Sequence, residues 1–382
     1  MANVNTFAKR PSSKAGLITR FSFSLLHGGI VVMKATIGNF PDTLNFMLDT
    51  GCEGVSLDST TAENLGLVPT VSRSTIKGIA QLKQAKFIYN QTFRLPHLAI
   101  DSFEYHINDY TFLKHAHGIK IDGVIGYSLL KNFVVRVDYD KRIIEVWKQG
   151  TLNYPKGGSV MTLDNPRLPM FNASIKDKHP VNTSYIFDTG GDICVLLSDS
   201  FVSDSNFLSA DKKMIEVPAA GPGGTQMMKF IAIPEVRIGQ FTFKNVPSLI
   251  FKDQYNVTRY PKTGGIIGNE LLHRFNLIIN YADAQIHLTP NSYLNEPFNY
   301  TYNGFDIVDA EGQAVIKTVV KNSLAEKAGL QTGDIVFGIN DNFSKNISDL
   351  NDVIASARKQ LKIVVLRNNQ LKNIVVAVDS VL

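Results

Sequence analysis

The chain has 382 residues, of which 44% are hydrophobic and 19% are charged. This length is enough for two or three domains, and this apolar content is enough to fill their cores. The formal net charge of +5 is spread along the chain, without the basic block that marks a nucleic-acid or polybasic membrane surface. No run of about 18 apolar residues predicts a membrane span. We therefore expect a globular protein with no nucleic-acid partner and no transmembrane segment.

Cysteine usage and the first residues of the chain bear on the compartment. Cys52 and Cys194 are too few for a disulfide framework or a zinc cluster, so the sequence favours free thiols. Residues 1–20 are polar and basic, and the apolar stretch after them is broken by glycines instead of ending in a cleavage site. As given, the sequence predicts no export signal. The protein is then cytoplasmic, or a signal has been removed from it.

An internal repeat organises most of the chain. The segment DGVIGYSLLKNFVVRVDYDKRIIEVW, residues 122–147, recurs as GGIIGNELLHRFNLIINYADAQIHLT, residues 264–289. Gly126 matches Gly268 in these segments, 142 positions apart, and the match runs on without a gap. One structural unit of about 130 residues is therefore used twice.

Each unit has the pattern of a β structure. Apolar alternation predicts hairpins that turn at residues 140–141 and 283–284, each preceded by a short helix. Stretches rich in Gly, Pro and Asn at 148–159 and 290–304 predict the boundaries of the second unit. The predicted regions are an N-terminal extension (1–20), a first lobe (21–152), a second lobe (153–296) and a C-terminal domain (297–382).

Asp49 and Asp188 lie at equivalent places in the two units. Each follows an apolar strand and precedes Thr-Gly, which predicts a carboxylate exposed where a strand ends in a tight turn. One Asp-Thr-Gly is ordinary turn chemistry, but two copies in a duplicated unit predict a pair that two-fold packing brings together. Two close carboxylates cannot both ionise cheaply, so they share one proton. Such a pair supplies a base for a water molecule and an acid for a carbonyl oxygen under attack.

Four short motifs carry a resemblance to a known family. They are LDTG at 48–51, FDTG at 187–190, VIG at 124–126 and IIG at 266–268. With these motifs the chain resembles the aspartic proteases, of the retropepsin-like and pepsin-like group, over residues 21–290. The resemblance implies a mainly β fold of two acid-protease β-barrel lobes related by a pseudo-two-fold axis.

The same resemblance implies roles for particular residues. Asp49 and Asp188 would form the dyad that activates water, with no metal or organic cofactor. Supporting roles fall to the residues of the two acid loops and to the glycines beneath them: Thr50, Gly51, Thr189, Gly190, Gly126 and Gly268. The position after each motif glycine, commonly Ala or Ser in the family, is Cys52 in one unit and Gly191 in the other.

Family members also close a glycine-bearing hairpin, the flap, over the substrate. The candidates are TIKGIAQLK at 75–83 and VPAAGPGGTQM at 217–227, and the alternative for each is a surface loop. Their glycines are Gly78, Gly221, Gly223 and Gly224.

Two further acids and one pair of histidines are also candidate functional residues. Glu53 and Asp192 follow the acid motifs, where they are solvated loop residues or charges that raise the pKa values of the dyad. His115 and His117 are two positions apart, so in a strand both side chains would lie on one face and could bind a metal. A third ligand at suitable spacing is missing from the sequence. The sequence therefore favours a structural role for these histidines.

The repeat ends near residue 300, and a different pattern follows. Residues 314–340, AVIKTVVKNSLAEKAGLQTGDIVFGIN, resemble a PDZ domain of the type attached to bacterial proteases. The sequence then predicts a helix over 349–360 and a final hairpin that turns at 368–369. PDZ domains bind an extended peptide between a strand and a helix. The resemblance implies a C-terminal peptide as ligand and places its binding loop at Gly304, Phe305 and Ile307.

Together these patterns predict a single-chain, monomeric aspartic endopeptidase with a C-terminal α+β PDZ domain, which acts on a peptide or protein. The alternative is a catalytically inactive peptide-binding adaptor on the same fold, and a further alternative pairs the lobes between two chains. The type of PDZ domain suggests a bacterial cell envelope or periplasm if an export signal has been removed, and otherwise the cytoplasm.

Overall fold

The structure is a computed structural model that describes residues 14–77, 82–221 and 223–382. Strands dominate both repeats, and the C-terminal domain combines strands with two helices, so the predicted fold class is confirmed. Within the described ranges, no helix is both long enough and apolar enough to cross a membrane.

The first lobe is a closed barrel. Its elements are β1 (Leu17–Ser22), β2 (Ser24–Leu25), a 3-10 turn (His27–Gly29), β3 (Val31–Ile37), β4 (Leu44–Leu48), β5 (Val55–Asp58), α1 (Ser59–Asn64), β6 (Thr70–Lys77), β7 (Leu82–Leu95), β8 (Leu98–Asn108), α2 (Thr111–His117), β9 (Gly123–Ile125), α3 (Tyr127–Leu130), β10 (Val134–Asp138) and β11 (Ile143–Trp147). Six strands form the barrel in the order β3-β4-β9-β5-β8-β7, and β7 pairs back with β3. Closure leaves β6 outside the barrel, where it forms a hairpin with β7.

The second lobe repeats this architecture. Its elements are β12 (Ser159–Thr162), β13 (Met170–Lys176), β14 (Pro180–Asp188), β15 (Val195–Ser198), α4 (Asp199–Ser205), β16 (Ile215–Gly221), β17 (Gly224–Ile238), β18 (Phe241–Phe251), β19 (Gly265–Gly268), α5 (Asn269–Leu272), β20 (Phe275–Asn280) and β21 (Gln285–Pro290). The barrel order is β13-β14-β19-β15-β18-β17, closed by β17 on β13. The equivalent hairpin here is β16 with β17.

A six-stranded sheet in the order β1-β11-β10-β20-β21-β12 joins the lobes. At its centre β10 and β20 run antiparallel, and Arg136 faces Ile278. These residues are 142 positions apart, the spacing of the repeat, so equivalent residues face each other as a pseudo-two-fold axis requires. One cluster of buried apolar side chains runs through both lobes. The lobes therefore pair within one chain and share a core.

The C-terminal domain has its own core. Its elements are β22 (Thr301–Tyr302), β23 (Phe305–Ala310), β24 (Gln313–Val319), α6 (Leu324–Lys327), β25 (Ile335–Ile339), α7 (Ile347–Ser356), β26 (Gln360–Arg367), β27 (Gln370–Ala377) and β28 (Asp379–Ser380). The sheet order is β23-β24-β25-β26-β27, which makes β23 an edge strand. Helix α7 begins two residues before its predicted start, because the Asn346 side chain caps it by accepting from the Ser348 amide (2.9 Å).

The structure confirms the predicted hairpins and corrects one interpretation. The β10–β11, β20–β21 and β26–β27 hairpins turn where the sequence predicts. The strand considered for His115 and His117 is wrong, because both lie on or at the end of helix α2. The buried side chains there are Tyr110, Leu113 and His117, which is the spacing of one helix face. Strand β1 begins at Leu17, inside the predicted N-terminal extension.

Candidate active site

The two acid loops are joined to each other by their threonines. Strand β4 leads into Asp49 and strand β14 ends at Asp188, at the same edge of each barrel. The Thr50 amide donates to Thr189 Oγ1 (3.1 Å), and the Thr189 amide donates to Thr50 Oγ1 (3.0 Å). Each hydroxyl then donates across the axis to a backbone carbonyl, that of Phe187 (2.6 Å) or Leu48 (3.1 Å). Both threonines are buried, so these four bonds hold the loops in a fixed relation.

Each carboxyl lies against the glycine of the opposite repeat. A Cβ on Gly51 would lie 2.9 Å from Asp188 Cγ, and a Cβ on Gly190 would lie 2.3 Å from Asp49 Cγ. The Cys52 amide donates to Asp49 Oδ1 (3.1 Å), and the Gly190 amide donates to Asp188 Oδ1 (2.8 Å). The structure therefore brings the two predicted acids together and fixes the orientation of both carboxyl groups.

Burial and mutual charge change the acidity of this pair. Burial raises the pKa of Asp49 well above its ordinary value, and the negative charge of Asp188 raises it further. Burial also raises the pKa of Asp188, while hydrogen bonds from Asp49 and from the backbone amides of Gly190 and Gly191 oppose the rise. The pair therefore keeps a proton at a pH where isolated carboxyl groups have lost theirs.

Gly126 and Gly268 let their strands pass directly beneath the acid loops. A Cβ on Gly126 would lie 2.1 Å from the Asp49 carbonyl oxygen, and a Cβ on Gly268 would lie 2.4 Å from that of Ile193. The Gly126 amide donates to the Gly54 carbonyl (3.0 Å). At both positions the close approach of two backbones excludes any side chain.

The sequence did not reveal how Glu53 is bound. Its carboxylate forms an ion pair with Arg167 (Nε to Oε2, 3.1 Å) and accepts a hydrogen bond from Arg259 Nη2, and both arginines belong to the second lobe. Glu53 is thus an ion-pair partner that links the lobes beside the dyad. Asp192, its equivalent in the second loop, is exposed, in agreement with the alternative of a solvated loop residue.

Cys52 and Cys194 are both free, as predicted. Burial raises the pKa of both thiols. Neither is therefore a reactive thiolate near neutral pH.

The two candidate flaps are hairpins at equivalent places in the lobes. The first has its last described pair at Lys77 and Leu82, and Gly78 lies outside the described residues. In the second, Gly221 pairs with Gly224. Gly223 (φ 96°) and Gly224 (φ 132°) adopt backbone conformations that favour glycine. Closure of either hairpin over a substrate stays a prediction.

The loop predicted to bind the PDZ ligand precedes the edge strand β23. Gly304 has a positive φ of 80°, and its carbonyl accepts from the Val320 amide (2.8 Å) and from Ser323 Oγ (3.3 Å). The Phe305 and Ile307 side chains pack into the domain core. Of Phe305 and Ile307, only the backbone is thus left to pair with a peptide, and the binding role stays a prediction.

Replacing Thr50 by Val should destabilise the protein by roughly 2–5 kcal/mol, because the Thr189 amide and the Phe187 carbonyl would both lose a buried partner. Chemical denaturation measures the change. Thr50→Ser is the control, since it keeps the hydroxyl and should lose clearly less. Equal losses for the two variants would contradict the role given to the hydroxyl.

Two closed barrels whose Asp-Thr-Gly loops are hydrogen-bonded to each other define a duplicated acid-protease fold. In agreement, the family model described as aspartyl protease matches residues 33–129 and 171–271, one stretch in each lobe. These stretches cover more than half of the chain, which therefore belongs to the aspartyl protease family. The model described as PDZ domain matches residues 315–367. None of the curated proteins matches this chain.

Proposed function

We propose that this protein is an aspartic endopeptidase whose dyad, Asp49 and Asp188, activates water to hydrolyse peptide bonds. The observation that supports this most is the apposition of the two carboxyl groups, each against the glycine of the opposite loop. The threonine bonds beneath them hold that apposition in place. Because the nucleophile is water, the proposed reaction needs no metal or organic cofactor.

The raised pKa values give the dyad both roles that hydrolysis requires. With one proton on the pair, the ionised carboxylate accepts a proton from water as the water attacks the carbonyl carbon. The protonated partner donates to the carbonyl oxygen, and a tetrahedral diol forms. The dyad then donates its proton to the amide nitrogen, the C–N bond breaks, and a diol hydroxyl returns one proton to the dyad as the carboxylic acid and the amine form.

The substrate in this proposal is an extended peptide that lies between the lobes and beneath the hairpins β6–β7 and β16–β17. Such a peptide adds strand-like backbone bonds. We assign residues 21–152 and 153–296 to the lobes and 297–382 to the PDZ domain, with 1–20 as the extension whose last residues join β1. We also propose that the protein works as a monomer, since β10 and β20 pair within one chain.

The pH profile should show both ionisations of the dyad. Activity should fall at low pH, when both carboxyl groups are protonated, and at high pH, when both are ionised. Because the pKa of Asp49 is raised, the upper limb should lie above the range in which ordinary carboxyl groups ionise. Measurement of kcat/KM against pH tests this. An upper limb within the ordinary carboxyl range would contradict the assignment.

A statine-type inhibitor tests the proposed reaction class, because its hydroxyl takes the place of the attacking water. We expect inhibition that is competitive with a peptide substrate. A folded protein that binds peptides without turnover and without competition from the inhibitor would favour the inactive peptide-binding adaptor. No feature of the described residues favours that alternative, since both acids and both threonines are present.

A further inference from the structure

The PDZ domain packs against the first lobe through helix α2. This helix contacts both β23 and α7, which are the strand and the helix that border the peptide groove of a PDZ domain. Asn351 Nδ2, on α7, donates to the Ala116 carbonyl at the end of α2 (3.3 Å). A second contact joins His27 Nδ1, in the 3-10 turn, to Asp352 Oδ1 (3.0 Å).

The end of α2 fits closely against the start of α7. Helix α2 ends at Gly118, which adopts a left-handed conformation (φ 70°). The residues after Gly118 lead to β9. A Cβ on Gly118 would lie 2.5 Å from Ile347 Cγ2 and 3.7 Å from Asn346 Oδ1. Ile347, the first residue of α7, is only 2% exposed. Within the described sheet β23 pairs only with β24, which leaves its other edge without a strand partner, and α2 contacts this strand.

We propose that residues 111–118 of the first lobe occupy the PDZ peptide groove of the same chain, so that an extended peptide must displace them to bind. The groove is bordered by the backbone edge of β23 and by the apolar side chain of Ile347. The partner that it fits is therefore an extended peptide with an apolar side chain. Its apparent affinity is reduced by the fraction of molecules in which the groove is closed.

The charges at this contact favour the closed arrangement near neutral pH. The hydrogen bond to Asp352 raises the pKa of His27 to about 9, burial opposes the rise, and the charges of Asp192 and Glu270 add to it. His117 is the other histidine at this place, and burial lowers its pKa. His27 therefore carries a charge that pairs with Asp352, and the pair weakens as the pH rises through about 9.

The two elements that contact the PDZ domain, α2 and the 3-10 turn, also lie next to the acid loops. Helix α2 packs on a cluster that contains Met47, Val124 and Tyr110, with Cys52 at its edge, and the Cys52 amide donates to Asp49. On the second loop, Asp192 lies against Gly28 of the 3-10 turn. A Cβ added to Gly28 would lie 2.4 Å from the Cβ of Asp192. If a peptide displaces α2, the packing of the side chains behind the two acid loops should therefore change. This last step rests on the proposed peptidase function.

The contact is specific to one side of the pseudo-two-fold axis. Gly28 and Asp192 correspond in the repeat to Arg167 and Glu53, each pair 139 positions apart. On that other side Glu53 is bound by Arg167 and Arg259 of the second lobe. The two sides have thus diverged. On one side, ion pairs of Glu53 join the two lobes; on the other side, His27 of the first lobe contacts the PDZ domain.

A disulfide that locks α2 onto α7 tests the docking. The Cβ positions of residues 118 and 347 lie 3.6 Å apart, within the range of about 3.5–4.5 Å that a disulfide needs. Full-length Gly118→Cys/Ile347→Cys should form this bond under mild oxidation, and Gly66→Cys/Ile347→Cys should not. Equal bond formation in both, or none in the first, would overturn the docking.

Peptide binding tests the groove itself. A phage-displayed random peptide library should yield binders on the reduced Gly118→Cys/Ile347→Cys protein, and the oxidised protein should bind them at least about 10-fold more weakly. Equal affinity in the two states, or no binders to the reduced protein, would overturn the proposal. Cleavage is read separately: no cleavage in either state would count against the peptidase and leave the groove result standing.

A second variant avoids the disulfide. Gly118→Ala places a Cβ against Ile347, so it should open the groove and tighten peptide binding by about 10-fold. Gly66→Ala is the matched control: Gly66 follows α1 with a similar φ of 65°, and a Cβ there meets nothing within 4 Å. Both variants carry the same backbone strain, so an equal change in binding would contradict the steric contact.

Discussion

Replacement of Asp49 or Asp188 by Asn should lower kcat/KM for peptide hydrolysis by about 10²- to 10⁴-fold, or to an undetectable level. In the proposed mechanism, either change removes one of the two groups that exchange a proton with water and with the carbonyl oxygen. Steady-state kinetics on a single cleaved peptide measures the effect. Asp199→Asn is the control, because Asp199 is an exposed acid at the start of α4. Near-normal turnover by Asp49→Asn would contradict the mechanism.

The same Asp49→Asn variant should be more stable than the wild type at neutral pH. The folded-state pKa of Asp49 is raised, so the folded protein holds its proton more firmly than the unfolded chain does. That stabilisation is complete below the unfolded pKa and is lost as the pH rises through the folded pKa. Asn has no charge to bury, so its advantage should grow over that window. A denaturation midpoint below that of wild type at neutral pH would show that the buried negative charge of the dyad does not destabilise the folded protein.

Gly126→Ala should destabilise the folded protein by about 3 kcal/mol or more. The added Cβ would lie 2.1 Å from the Asp49 carbonyl oxygen and 2.3 Å from that of Cys52. Neither oxygen can move freely, because the Cys52 amide donates to the Asp49 carbonyl (3.2 Å) and the Tyr127 amide donates to the Cys52 carbonyl (3.0 Å). The acid loop would have to shift as a whole.

The matched control for this variant is Gly54→Ala, in the same loop. The nearest atom to a Cβ on Gly54 is Ser128 Oγ at 3.9 Å, an ordinary contact. Urea denaturation of both variants should therefore show a large loss for residue 126 and a small one for residue 54. Similar losses would mean that the loop tolerates displacement, contrary to its hydrogen-bonded geometry.

The repeat in the sequence was sufficient to predict the arrangement of the lobes. A constant spacing of 142 positions implies equivalent strands, and a two-fold relation makes equivalent residues face each other, as Arg136 and Ile278 do. The positions of the two Asp-Thr-Gly motifs at strand ends likewise predicted that the acids would meet. Both conclusions depend on local pattern and symmetry, which a single sequence contains.

The asymmetric contacts could not be predicted. Arg167 and Arg259 meet Glu53 only because two loops of the second lobe converge on the first, and no periodicity links such distant positions. The docking of the PDZ domain depends in the same way on the shape of α2 and its closing glycine, Gly118. A signal for α2 was present in the helical spacing of Tyr110, Leu113 and His117, but the alternation of the histidines suggested a strand.

The most direct test of the central claim is cleavage of a diverse library of unstructured peptides, followed by mass spectrometry across acidic to neutral pH. Wild type should be compared with Asp188→Asn on the same peptides. We predict internal cleavage products that Asp188→Asn does not form. Absence of products from folded wild-type protein at every pH, or identical products from the variant, would contradict hydrolysis by the dyad.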